Sequence, residues 1–246
     1  MNVKELESLI CKKYKRNYCI LLGNGTSAIY LALRALNLKN KLIALPNSSC
    51  INIALAIQFS GNFPIYFDIE NKNLGLNTMK LNSSEVNYDA IIAVHNYGSI
   101  CDISFLENFC KKNNIFLVED ACLAQGGFHK DRAVGSFGDL SIFSFGNSKP
   151  LDIGHGGALL TDCKELNSRI RNLLKDLPDY SLEFVKVQER ISRLHTIVYN
   201  KYFSKNLRNH VKIFSKVSKQ FSHNFLYKFN PNYSRNLFFG MEDLNK

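Results

Sequence analysis

The chain has 246 residues, enough for one substantial core, and its 46% hydrophobic and 21% charged residues are ordinary for a globular protein. No apolar run is long enough to cross a bilayer, and the start, MNVKELESLICKK, is a charged amphipathic pattern rather than a leader. The expectation is a cytoplasmic protein with no integral membrane segment.

The net charge of +10 is unevenly placed: residues 1–162 hold 15 Lys+Arg against 14 Asp+Glu, and residues 163–246 hold 16 against 7. A basic tail is open to nucleic acid, to an anionic surface or to a nucleotide-linked ligand. It is read here as a solvated helical face, with no nucleic-acid partner. Seven cysteines without a C-x-x-C pair read as reduced core thiols. Six histidines without H-x-x-x-H or H-E-x-x-H spacing give no metal site.

In chain order, Val3, Leu6, Leu9 and Ile10 fall at helical spacing within 2–15, and Tyr18 to Leu22 reads as a strand. GNGTSAIYLALRALNL follows. Its glycines predict a turn, Thr26 or Ser27 a cap, and Ile29 to Leu36 a helix whose N-terminus suits a phosphate. Gly23-x-Gly25-x-x-Ala28 also satisfies the dinucleotide fingerprint, so a Rossmann oxidoreductase is an alternative. The next strand, Lys41 to Leu45, ends in Pro46-Asn47-Ser48-Ser49-Cys50 without the ribose-binding acid which that motif requires.

Ile51 to Phe59 predicts a helix, Pro64 to Ile69 a strand, Asp89 to His95 a strand and Ile103 to Lys112 a helix. Ile115 to Val118 is a strand ending at Glu119-Asp120. An acid at the carboxyl end of a parallel strand stands where open α/β sheets bind ligands. Strand–helix alternation with continuously apolar strands predicts an α/β three-layer domain on a mainly parallel sheet. Ile43, Ile65, Ile91, Val94, Leu117, Val118, Ile142 and Leu160 are the expected core.

The stretch from Asp139 to Asp162 reads DLSIFSFGNSKPLDIGHGGALLTD. It implies a strand carrying Ser144, a tight Gly146–Pro150 loop carrying Lys149, a glycine turn and a second strand from Ala158 to Thr161. A lysine enclosed between two buried strands is the setting in which an amine serves as a nucleophile.

Gly135–Asp139 (GSFGD), Phe143–Phe145 (FSF), Ser148-Lys149 and the following Gly-x-Gly-Gly resemble the lysine-loop signature of the DegT/DnrJ/StrS sugar aminotransferases. These are pyridoxal-phosphate (PLP) enzymes of the aspartate aminotransferase-like fold. Gly25-Thr26-Ser27 resembles the family's phosphate loop, and His95-Asn96-Tyr97-Gly98 its His-x-Tyr-Gly.

The resemblance implies that Lys149 is the catalytic Schiff-base lysine and Asp120 the partner of the pyridinium nitrogen. It implies that Thr26, Ser27 and Ser144, with Gly25, hold the phosphate. Cys50 stands where the family has an aromatic that stacks on the ring, and Leu123 where it has Gln or His. His95 is expected to be structural.

The implied reaction moves an amino group, from glutamate, to a nucleotide-linked keto-sugar in a homodimer. The resemblance covers about residues 5–175 and implies a PLP-binding large domain over residues 1–175. Residues 176–246 are read as a helical basic segment beginning an incomplete small domain, with helical spacing from 184 to 229. The chain is accordingly read as truncated, and a non-catalytic relative that keeps the fold is the further alternative.

Overall fold

The computed structural model describes residues 2–179, together with 186, 187 and 190. The helices are α1 (Val3–Tyr14), α2 (Gly25–Ala35), α3 (Ile51–Phe59), α4 (Thr78–Asn82), α5 (Ile103–Asn113) and α6 (Lys164–Leu174). The strands are β1 (Tyr18–Leu22), β2 (Leu42–Pro46), β3 (Phe63–Phe67), β4 (Ala90–Val94), β5 (Phe116–Asp120), β8 (Leu140–Ser144) and β9 (Gly157–Thr161), with the short pair β6 (Phe128–His129) and β7 (Arg132–Ala133).

Seven strands form one sheet in the order β1-β9-β8-β5-β4-β2-β3. Neighbours from β3 to β8 are parallel, and β9 is antiparallel to both β8 and β1. Every strand of this sheet except β9 therefore points the same way. β4, Ala-Ile-Ile-Ala-Val, is buried along its whole length because both faces are covered.

The period-2 alternation divides the core. Ile20, Leu22, Ile43, Leu45, Ile92 and Ile142 pack under α2, α3 and α6. On the other face, Cys19, Leu21 and Leu160 pack under α1, and Ile91, Ala93 and Leu117 under α5. The outer edge of β1 is closed by side chains: Glu7 of α1 accepts from the Leu21 amide at 3.0 Å, and Arg171 of α6 donates to Cys19 O at 3.0 Å and to Glu7 at 2.9 Å. These contacts occupy backbone groups that an open edge would offer to another chain.

The three-layer α/β architecture is the expected one, and the expected strands and helices occur in their expected order, with α4 and the β6–β7 pair in addition. Three expectations are corrected and one alternative is disfavoured. Asn24, not Thr26 or Ser27, caps α2, its side chain accepting from the Ser27 amide at 2.7 Å. The glycine turn follows a strand at the edge of the sheet, beside an antiparallel neighbour, whereas a dinucleotide fold places its fingerprint strand centrally. That speaks against the Rossmann alternative.

Ile65 is only half-buried, because β3 is an edge strand with one partner, while the other seven expected core residues are buried. Cys50 and Cys163 are exposed rather than core thiols, since both precede helices at the surface. The helical readings between 184 and 229 lie outside the described residues.

Candidate active site

Because six strands run in one direction, the segments after β1, β2, β4, β5 and β8 all emerge at one edge of the sheet. Four of the expected site residues, Gly25, Cys50, Asp120 and Ser144, lie there, and Lys149 is five residues beyond β8.

The N-terminus of α2 is seated by glycines of the loop before β9. Gly156 N donates to Gly23 O at 2.9 Å, and Leu22 stands opposite Gly157 in register. A Cβ on Gly157 would meet the Asn24 carbonyl carbon at 2.6 Å, so this close approach requires glycine. A Cβ on Gly25 would meet Ser144 Cβ at 3.0 Å, Ser144 Oγ at 3.4 Å and Cys122 Sγ at 3.5 Å. Glycine at 25 thus leaves a hollow bounded by the Ser144 hydroxyl and Cys122. The Gly25 and Thr26 amides open the helix and precede its intrahelical hydrogen-bond ladder, as a phosphate cradle requires. Ser27 differs from them: it is fully buried, and its amide is held by Asn24.

Asp120 forms the floor. It is 6% exposed, and its Oδ1 accepts from the Cys122 amide at 3.0 Å. Burial pushes the Cys122 thiol well above its usual range; the Asp120 carboxylate adds to this, the Lys149 ammonium opposes it, and Cys50 contributes least. Asp120, Lys149 and Cys50 therefore all act electrostatically on one buried sulfur. Lys149 itself is half-exposed rather than enclosed, because its loop extends beyond the strand ends. Cys50 is the residue before α3 and makes no side-chain capping bond.

Three supporting residues escaped the sequence reading. Asp152 gathers the lysine loop: its carboxylate accepts from the Ser148 amide at 2.9 Å and the Gly154 amide at 2.7 Å, with Ser148 at a left-handed φ of 69°. The Asp-x-Gly spelling at 152–154 was the available signal. Gln125 donates to Ser144 O at 2.7 Å and Cys122 O at 3.2 Å, tying the end of β8 to the turn after β5.

Glu119 is fully buried. It accepts from His95 Nε2 at 3.0 Å and from the amides of Gly135 and Phe137, both at 2.8 Å. Burial disfavours a charged His95 ring and Glu119 favours it. The Cys101 amide donates to Nδ1 at 3.2 Å, a geometry that leaves Nδ1 as an acceptor and Nε2 as the donor to Glu119. His95 is a structural residue, as expected.

A cavity of about 700 Å³ lined by Arg16, Glu107, Arg132, Asp139 and Asp162 lies at the opposite end of the strands. Its carboxylates are engaged: Glu107 by Arg132, Asp139 by the Leu117 amide, and Asp162 by Arg16 and the Asn17 amide.

Comparison with known proteins bears on the same segments. The DegT/DnrJ/EryC1/StrS aminotransferase family matches residues 1–182. The chain is 32% identical over 169 residues to a GDP-perosamine synthase of Escherichia coli O157:H7, covering 68% of this chain and 46% of that one. It is 34% identical over 177 residues to a UDP-4-amino-4,6-dideoxy-N-acetyl-beta-L-altrosamine transaminase of Campylobacter jejuni, covering 70% and 46%. Among solved structures, ntda of Bacillus subtilis, with bound cofactor PMP, superposes at a TM-score of 0.63 with 27% identity, covering 68% of this chain and 38% of that one. The chain spans about half the length of the curated relatives it matches.

Proposed function

Since the chain belongs to the DegT/DnrJ/EryC1/StrS aminotransferase family, we propose that it provides the cofactor-binding domain of a PLP-dependent sugar aminotransferase. The transfer runs from an amino donor, glutamate, to a nucleotide-linked keto-sugar, and the site is completed in a homodimer. The observation that carries the reading is the Gly25 hollow. The first two amides of α2, which the Asn24 cap does not take, a serine hydroxyl and a missing Cβ stand near a floor carboxylate and the loop of a lysine.

The residues present fit the cofactor. The Gly25 and Thr26 amides and the Ser144 hydroxyl would hold the phosphate dianion through charge-assisted hydrogen bonds. Ser27 takes no direct part, because its amide is committed to Asn24. The Asp120 carboxylate would hold the pyridinium proton, and Cys50 and Cys122 would line the slot with sulfur in place of an aromatic face. When bound, PLP supplies an electron sink for the carbon from which a proton is lost. Lys149 Nζ is the amine that would hold the cofactor aldehyde, and as a free amine it would move the proton at the reacting carbon. Gln125 and Asp152 keep Ser144 and the lysine loop in place for both tasks.

The test is conversion of a nucleotide-linked keto-sugar to its amino sugar with glutamate and PLP, followed by mass, in wild type and Lys149→Ala. Conversion by wild type alone supports the proposal. Equal conversion by the Lys149→Ala protein would show that the lysine has no such role.

A further inference from the structure

Tyr97 combines three features that a surface residue rarely has together. Its backbone is left-handed, at φ 55° and ψ 21°, a region that bulky side chains seldom occupy. The residue is 72% exposed. Its hydroxyl nevertheless lies 3.2 Å from Ser48 Oγ, so the exposed ring is tethered.

Its placement narrows what the ring is for. Val94 stands opposite Asp120 in register, and the His95 amide donates to Asp120 O at 3.2 Å, so the 95–98 turn leaves the sheet beside the floor carboxylate. On one side the turn meets Ser48, two residues from Cys50. On the other, a Cβ at Gly98 would lie 3.3 Å from Leu123 O. Tyr97 therefore stands between the two positions where the site lacks a ring and a polar contact. Asp120 and Cys122, below, are buried, whereas Cys50 and Tyr97 are exposed. The cofactor-holding groups are the floor, and Tyr97 belongs to the rim.

We infer that Tyr97 is the aromatic rim contact for the sugar-nucleotide, its ring face packing on the pyranose or the base as the ligand enters over the floor. This rests on the reading of the site as a sugar-nucleotide aminotransferase. An aromatic ring has few torsions to fix, and the Ser48 tether restrains them beforehand, so binding costs little side-chain entropy. The strained backbone is what aims a ring outward from a turn that glycine would occupy more easily.

The test titrates the full chain, with and without saturating PLP, with UDP-glucose, GDP-mannose and dTDP-glucose by calorimetry. It compares wild type, Tyr97→Phe and Tyr97→Gly. For the probe that wild type binds best, Tyr97→Gly should weaken binding about tenfold, the scale of losing one stacking ring. Tyr97→Phe keeps the ring and should stay within about threefold, the scale of one exposed hydrogen bond. The Tyr97→Gly protein should unfold in urea at or above the wild-type midpoint, because glycine relaxes the left-handed turn, and its PLP affinity should be unchanged.

Unchanged sugar-nucleotide affinity in Tyr97→Gly, with wild type binding, overturns the inference alone. Weakened PLP affinity with intact sugar-nucleotide binding assigns the ring to the cofactor and also overturns it. Failure of wild type to bind any of the three probes overturns the substrate reading itself, and the inference with it.

Discussion

Replacing Glu119 by Gln tests whether the buried carboxylate holds the loops around Asp120. The carboxylate is fully buried and serves three donors: His95 Nε2 and the Gly135 amide on one oxygen, and the Phe137 amide on the other. Glutamine can keep its oxygen toward the first pair, but its NH2 then faces the Phe137 N–H. One buried amide loses its acceptor, a cost of about 1–3 kcal/mol. Relief of the carboxylate's own burial cost sets the lower end of that range.

For a domain of this size each kcal/mol lowers Tm by about 2–4 °C, so the expected drop is about 2–12 °C. Glu119→Ala strands all three donors, at about 3–9 kcal/mol, comparable with the whole stability of a typical domain. Urea unfolding followed by circular dichroism reads both variants. A Gln variant with the wild-type midpoint, or an Ala variant no worse than Gln, would refute the reasoning.

Burial pushes the His155 imidazole from 6.5 down to about 4. The folded ring thus stays neutral while the unfolded one takes a proton, and stability falls as pH drops through that interval, by up to about 3 kcal/mol. Measured between pH 7 and pH 4, wild type should lose that much relative to His155→Asn; parallel pH profiles would count against it. Gly157→Ala should cost about 1–3 kcal/mol through its clash with Asn24 backbone and weaken PLP binding. Gly146→Ala, whose Cβ would meet only Ser144 Oγ at 3.7 Å, should be tolerated, and equal effects at the two sites would contradict the packing argument. Asp152→Ala removes two loop hydrogen bonds at the surface. It should change global stability by no more than about 2 kcal/mol while lowering PLP affinity; an unaltered affinity in a dialysis assay would show that the loop holds its shape without it.

The fold was legible where burial is two-sided. β4 and the Phe116–Val118 part of β5 are continuous apolar runs because helices cover both faces, and such runs need no partner to be recognised. Asp120 and Ser144 were legible because each ends or nearly ends such a run. The edge strand β3 was found, but the burial of its Ile65 was overestimated, since a sequence does not say which strand lacks a neighbour. The α2 cap was misread because Asn24, Thr26 and Ser27 are all capping residue types within four positions, and only the backbone decides between them.

Glu119 and Gln125 escaped because the partners of Glu119 lie 16 to 24 residues away and the Ser144 carbonyl that Gln125 holds lies 19 away, and these are backbone groups or a histidine without a motif of their own. The exposure of Lys149 depends on how far its loop extends past the strands, which spacing alone does not encode.

The central claim is that the Gly25 hollow, the Asp120 floor and the Lys149 loop form one PLP site. The most direct measurement incubates the purified chain with PLP, reduces with borohydride and locates the pyridoxyl mass by peptide mapping. The account predicts one label, on Lys149, lost when Gly25 is replaced by Val. No label on folded protein, or a label spread over other lysines with Lys149 unmodified, would contradict it.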